Sequence, residues 1–172
     1  EKRMSGILRK WRPDDAEALA EILSDRRILD NLRDGIPFPY AKEDGEEFIA
    51  AMLSADENEV FAFAISEAGK AAGSIAAYRR SNIHRRTAEL GYYLSSRHWG
   101  KGIMTRAVKE ICEYIFSRTD ILRIYAQPFA DNAASCRVLE KAGFRCEGIL
   151  RAAAVKNGKI RDMKMYSRLK ED

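Results

Sequence analysis

The apolar positions of the chain follow two periods in turn. Residues 6–12 alternate well enough for a first strand, and Pro13 and Asp14 then interrupt the pattern. Leu19, Ile22 and Leu23 recur at helical spacing behind Asp14 and Asp15, either of which can cap a helix. A second short helix fits residues 26–32. Ile36-Pro37-Phe38-Pro39-Tyr40 cannot be helical, because each proline fixes its own φ and restricts its predecessor, so it reads as an ordered loop carrying two aromatics. The spacing of Phe48, Ile49, Met52 and Leu53 predicts a helix over 42–55 with these four facing inward. Strands follow at 60–66 and 72–79, joined through a turn at Gly69, and a third strand covers 87–94. Ile103, Ala107, Ile111 and Ile115 form one face of a helix over 101–117. A strand over 122–128 and a helix over 132–141 come next, and Gly143 stops that helix. Two last strands flank Asn157-Gly158, a strong hairpin signal.

The strand-helix-strand unit over 87–128 implies one parallel crossover inside an otherwise antiparallel sheet. The expected fold is therefore mixed α/β (α+β), with about seven strands and four or so helices. No repeat, linker or low-complexity segment divides the chain, so residues 1–172 read as a single domain.

Composition narrows the class. Of 172 residues 46% are hydrophobic and 33% charged, which suits a packed globular domain. No apolar run reaches membrane-spanning length, and residues 1–12 lack a signal-peptide core, so a cytoplasmic protein without membrane attachment is expected. Thirty basic residues against 26 acidic give a net charge of +4, too mild to indicate a nucleic-acid partner. Cys112, Cys136 and Cys146 are odd in number and without metal-ligand spacing, so reduced buried thiols and no metal are expected.

The most informative stretch is Tyr92-Tyr93-Leu94-Ser95-Ser96-Arg97-His98-Trp99-Gly100-Lys101-Gly102-Ile103-Met104-Thr105. A strand ends, a loop follows, and two glycines open a helix. The first helical turn then offers unpaired N–H groups with the positive end of the helix dipole behind them, which suits a pyrophosphate. Lys101 and Arg106 add charge. The glycine spacing is neither that of a dinucleotide-binding fold nor that of a P-loop.

Together with Asn132-Ala133-Ala134-Ser135-Cys136-Arg137-Val138-Leu139-Glu140-Lys141-Ala142-Gly143-Phe144, this stretch resembles the GNAT superfamily of N-acetyltransferases, and within it the RimJ/RimL-like protein N-terminal acetyltransferases. Trp99-Gly100-Lys101-Gly102-Ile103-Met104 is similar to the Q/R-x-x-G-x-G/A signature, with Trp99 and Met104 departing from it. The second run is similar to the Asn-x-x-Ser…Glu-Lys-x-Gly-Phe helix of the Rim-type branch.

The resemblance implies a GNAT fold whose splayed strands bind acetyl-CoA as co-substrate. Tyr92, Tyr93 and Leu94 would offer backbone groups to pantetheine, and the N–H groups of Gly100, Lys101, Gly102, Ile103, Met104 and Thr105 would hold the pyrophosphate. Asn132 would contact the pantetheine or thioester end, and backbone N–H groups would stabilise the oxyanion. The reaction implied is direct attack of a neutral amine on the thioester in a ternary complex. Glu89 would be the base; partial burial beside Ala88 and Leu90 would raise its pKa, and the competing reading pairs it with Arg79, Arg85 or Arg86. The superfamily's common tyrosine acid falls at Leu139, so Ser135 is the expected proton donor to the leaving thiolate, against a plain first-turn serine. Phe38, Tyr40 and Tyr166 would line the acceptor site. The favoured acceptor is a peptide or protein N-terminal α-amine; a small amine (polyamine, aminoglycoside or amino acid) and a non-catalytic acyl-CoA-binding module are the alternatives. Monomer and homodimer are both compatible with the sequence.

Overall fold

The computed structural model describes residues 6–172. Residues 1–5, part of the stretch read above for an export signal, lie outside the described residues. Seven strands form one sheet: β1 (Leu8–Arg9), β2 (Val60–Glu67), β3 (Lys70–Arg79), β4 (Thr87–Leu94), β5 (Arg123–Ala126), β6 (Arg145–Lys156) and β7 (Lys159–Leu169). Their order is β1-β2-β3-β4-β5-β7-β6, and β4–β5 is the parallel pair, as the crossover requires. Five helices accompany them: α1 (Ala16–Ile22), α2 (Arg26–Leu29), α3 (Lys42–Ser54), α4 (Ile103–Arg118) and α5 (Ala133–Lys141).

Alternation along each strand gives the sheet two buried faces. Ile75, Ala77, Ala88, Leu90, Leu94, Ile124 and Ala126 pack against Ile103, Ala107, Ile111 and Ile115 of α4 and Leu139 of α5. The opposite face carries small residues such as Ala62 and Ala64, which admit Leu19, Ile22 and Ile49 of α1 and α3. Those two helices nearly touch at Gly45, where a Cβ would sit 2.9 Å from the Ala16 carbonyl oxygen.

The local expectations hold with shifts that have physical causes. The first strand shrinks to Leu8–Arg9, which pairs only with the end of β2. Asp15 does not cap α1 with its side chain. Its carboxylate turns back to Arg9 through two 2.8 Å bonds and accepts the Arg12 N–H at 2.8 Å, tying β1 to the start of the helix. Burial raises the Asp15 pKa, but the Arg9 and Arg12 contacts outweigh it and hold the carboxyl below its ordinary range. Leu53 points outward, 49% exposed, while Ile49 is buried and Phe48 and Met52 pack against the core. Cys112 and Cys136 are buried as expected; Cys146 is exposed, because it lies on the edge strand β6. No described helix is long and apolar enough to cross a membrane.

Candidate active site

β4 and β5 pair only at Thr87–Arg123, Ala88–Ile124 and Glu89–Tyr125. Beyond that point β4 continues to Leu94, while the chain after β5 stays with β7. The Lys164 N–H donates to the Pro128 carbonyl, the Ala130 N–H donates to the Asp162 carbonyl, and Phe129 bridges Met163. This attachment opens a V between the two strands. Backbone parity decides which β4 groups line it. Thr87 accepts from Arg80 and the Ser95 N–H donates to Ala72, so the odd-numbered residues between them address β3. Tyr92 and Leu94 therefore direct their N–H and C=O groups toward the V. Tyr93 does not, since its backbone faces β3, and the Leu94 carbonyl accepts the Trp99 indole N–H at 2.8 Å. Of the three strand residues expected to meet pantetheine, Tyr92 has both backbone groups on the open side.

At the end of β4 the glycine turn is built as the sequence implies. Gly100 and Gly102 sit at φ 74° and 75°, in the left-handed region that a side chain resists, and Gly102 caps α4. A Cβ at either position would meet nothing within 4 Å, so the glycines serve backbone conformation and external approach rather than internal packing. The loop before them is fixed by the Trp99–Leu94 bond and by Arg27, whose guanidinium lies 5.3 Å from the Trp99 ring centroid. The Ile103 and Met104 side chains are buried in the core. Met104, which departs from the small residue of the signature, therefore leaves the approach to its own N–H clear. Lys101 and Arg106 are exposed beside the turn, and Thr105 is half-buried. The residues present fit a pyrophosphate and an extended amide-bearing arm.

The two faces of the V carry different chemistry. On the α4/α5 face the Tyr92 hydroxyl lies 2.7 Å from Ser135 Oγ. Burial pushes the Tyr92 phenol up to about 12, partly offset by the Ser135 bond. Asn132 uses its Oδ1 to accept the Ser135 N–H at 3.2 Å, the N-cap of α5, so its side chain is first of all a structural cap. Leu139, at the position of the superfamily's common acid, is fully buried.

Glu89 stands on the other face, at the last register pair before the strands part. Its cross-strand neighbours are Tyr78 on β3 and Tyr125 on β5, and Tyr125 donates its hydroxyl to Glu89 Oε2 at 2.8 Å. Burial, then the Glu89 bond and charge, push the Tyr125 phenol up to about 12. Arg80 lies 3.8 Å from the carboxylate. The expected partial burial of Glu89 is modest, since its side chain is 45% exposed, and the expected partners were misplaced. Arg79 instead binds the Asn58 and Arg85 carbonyls and Asp120, and Arg86 binds the Asp120 carbonyl. Tyr93 shares this face and stands opposite Ser74 in the β3–β4 register.

The expected acceptor walls divide. Phe38 is 48% exposed beneath the Arg26 guanidinium, 4.3 Å from its ring centroid, and remains available as a wall. Tyr40 is 8% exposed and anchors its loop in the α1/α3 core. Tyr166 is 1% exposed, lies on the α4/α5 face and donates its hydroxyl to Glu140, so it is a core residue and not a wall. Sequence reasoning missed a polar clasp between the last hairpin and the loop after α2. Lys156–Asp34 (3.0 Å), Asn157–Asp30 (3.0 Å) and Arg161 to the Asp30 carbonyl (3.2 Å) tie the β6–β7 hairpin tip to the loop after α2. It also missed Tyr125 and Tyr78, which a register drawn between residues 87–94 and their neighbours would have placed beside Glu89. Among the described residues no group of three or more His, Cys, Asp and Glu is placed to hold a metal ion.

A mixed sheet that opens into a V, with a glycine turn and helix N-terminus at its end, defines the class of acyl-CoA-using transferase folds. The chain belongs to the acetyltransferase (GNAT) domain family, whose model matches residues 7–145. It is 39% identical over 98 residues to an uncharacterized N-acetyltransferase, YoaA, of Bacillus subtilis (strain 168); the match covers 57% of this chain and 55% of YoaA. It is 30% identical over 100 residues to the spermidine N(1)-acetyltransferase of Escherichia coli (strain K12), covering 58% of this chain and 53% of that protein. The chain thus matches about half the length of these two relatives. Among solved structures, Mycobacterium smegmatis RimJ in complex with CoA-disulfide superposes with a TM-score of 0.85 at 26% identity, covering 95% of this chain and 81% of RimJ.

Proposed function

We propose that this chain transfers an acetyl group from acetyl-CoA to an amine, and that its acceptor is the α-amine of a peptide or protein N-terminus. The observation that carries the reading is the V between β4 and β5, with the α4 glycine turn at its end, the Glu89 carboxylate on one face and the Ser135 hydroxyl on the other. When bound, acetyl-CoA supplies the thioester carbonyl. The N–H groups at the start of α4 hold the pyrophosphate, and the Tyr92 backbone extends the sheet onto the pantetheine amides. Glu89, oriented by Tyr125, takes the ammonium proton from the acceptor directly or through water, so that the amine attacks in its neutral form. Ser135 faces the departing sulfur from the opposite side.

Charge around Glu89 supports a peptide over a polyamine. Arg80 lies beside the carboxylate, and Arg33 lies close enough to Tyr78 to act on its phenol. A polyamine would bring further positive charge against both, whereas a peptide N-terminus brings one. The reading is tested by incubating the protein with acetyl-CoA and either spermidine or a set of short peptides with free N-termini, following thiol release. Faster release with a peptide supports it, and release with spermidine alone assigns the small-amine reading instead. Coenzyme A binding without thiol release for any amine leaves a non-catalytic binding module.

A further inference from the structure

The Tyr92–Ser135 bond joins β4 to the first turn of α5. Tyr92 belongs to β4 and Ser135 to the helix that follows β5, so their hydroxyls, 2.7 Å apart, bridge the V on its α4/α5 face. The arrangement is unlike that of the other helix-end hydroxyls. Ser24, Ser54 and Thr119 each donate to the carbonyl four residues earlier, in Ala20, Ala50 and Ile115. Ser135 lies in the first turn of α5, where no helical carbonyl stands four residues before it, and its hydroxyl meets a phenol from the opposite strand. The geometry allows either hydroxyl to donate, and the Tyr92 hydroxyl also lies 3.4 Å from the Ser135 carbonyl oxygen; acidity favours one sense of the short bond. A phenol is a stronger acid than an alkanol, so Tyr92 is the better donor and Ser135 Oγ the better acceptor. The Ser135 proton is then left to point away from Tyr92, into the V.

We propose that Tyr92 is a positioning residue for the transfer reaction: its phenol donates to Ser135 Oγ and so aims the Ser135 hydroxyl at the sulfur of the leaving thiol. This rests on the transferase reading above. As the carbon–sulfur bond breaks, the electron pair goes to sulfur, and the resulting thiolate is held by the Ser135 O–H as a hydrogen bond. Its proton comes afterwards from water: of the two protons the ammonium gives up, Glu89 takes the first before attack, and water takes the second once the carbon–nitrogen bond has formed. No alkoxide forms, and Tyr92 keeps its own proton throughout. Two hydroxyls in series polarise one another, so the Ser135 donor is stronger with Tyr92 behind it than alone.

The test needs no acceptor. Coenzyme A is bound to the protein, and its thiol is titrated by the ultraviolet absorption of the thiolate, with the unliganded protein subtracted to remove Cys112, Cys136 and Cys146. A free thiol titrates near 8.5. A charge-assisted hydrogen bond from Ser135 should lower the bound thiol by about one pH unit or more. Ser135→Ala should raise it again by about one, and Tyr92→Phe, which removes only the hydroxyl, by roughly half to one. The double variant should match Ser135→Ala alone, because Tyr92 acts only through Ser135. An unchanged thiol in Tyr92→Phe overturns the proposal, as does a further rise in the double variant beyond Ser135→Ala. Calorimetry of coenzyme A separates the two levels of the argument. If coenzyme A fails to bind the wild-type protein, the transferase reading falls and takes this proposal with it; if it binds with an unperturbed thiol, only the role of Tyr92 falls.

Discussion

Replacing Gly102 by Asp tests the cofactor cradle, with Asn as the matched control. Gly102 sits at φ 75° and caps α4, and a Cβ there meets no atom within 4 Å, so neither side chain clashes with the fold. The left-handed backbone costs about 1 kcal/mol for a non-glycine residue, less for Asn and Asp, and nearly cancels between the two variants. Both side chains can also bond the first N–H groups of α4, so both compete with a phosphate. What separates them is one negative charge. At ~6 Å from a pyrophosphate charge, with an effective dielectric near ~20, repulsion is about 3 kcal/mol. The position is exposed, and ordinary salt reduces this to about 1.5–2 kcal/mol. The Asp variant should therefore bind coenzyme A roughly 10–30-fold more weakly than the Asn variant by calorimetry, with the gap widening at low ionic strength. Equal affinity of the two variants at low salt would remove the start of α4 from the site.

Three further outcomes follow from the same geometry. Glu89→Gln should slow the chemical step roughly 10²-fold near neutral pH, with the deficit shrinking at high pH as more acceptor is already neutral; full turnover across the pH range would leave Glu89 a structural role only. Leu139→Tyr should destabilise the protein by about 1–3 kcal/mol in chemical denaturation, because a fully buried position is overfilled, and an unchanged midpoint would contradict the packing of α5 against the sheet. Asp15→Asn should cost about 2–3 kcal/mol, since it leaves the Arg9 guanidinium, itself mostly buried, without its charge partner. The folded-state pKa of Asp15 is depressed, so the stability it contributes is present above the ordinary carboxylate range near ~4 and is lost as pH falls through the lower folded value. In Asp15→Asn the acid limb of the stability profile should be shallower than in wild type; identical limbs would contradict this.

Features carried by neighbouring residues were legible in the sequence. Asn157-Gly158 fixed the last hairpin, with both residues at positive φ, and the glycines at 100 and 102 marked the turn into α4. The parallel crossover followed from the order of the elements. Features carried by residues far apart in the chain were not legible. Nothing in residues 87–94 announces that Tyr92 reaches Ser135, that Tyr125 holds Glu89, or that Asp30 and Asp34 meet the hairpin tip. Such pairs depend on strand register and on which face of the sheet a side chain occupies, and one residue of slip reverses the face. Tyr166 and Leu53 were misjudged for a related reason. A tyrosine in a hairpin and a leucine at the end of an amphipathic helix have the same local pattern whether they face the core or the solvent, and only the neighbouring element decides.

Acyl transfer to an amine in the V between β4 and β5 is open to a direct assay. The most direct measurement incubates the wild-type protein with acetyl-CoA and peptides bearing free or blocked N-termini, following coenzyme A thiol and the peptide mass together. Thiol release should be matched one for one by acetylated peptide with free N-termini, with neither product above background for blocked N-termini and both formed roughly 10²-fold more slowly near neutral pH by Glu89→Gln. Thiol release without acetylated peptide, or equal acetylation of free and blocked peptides, would contradict this reading.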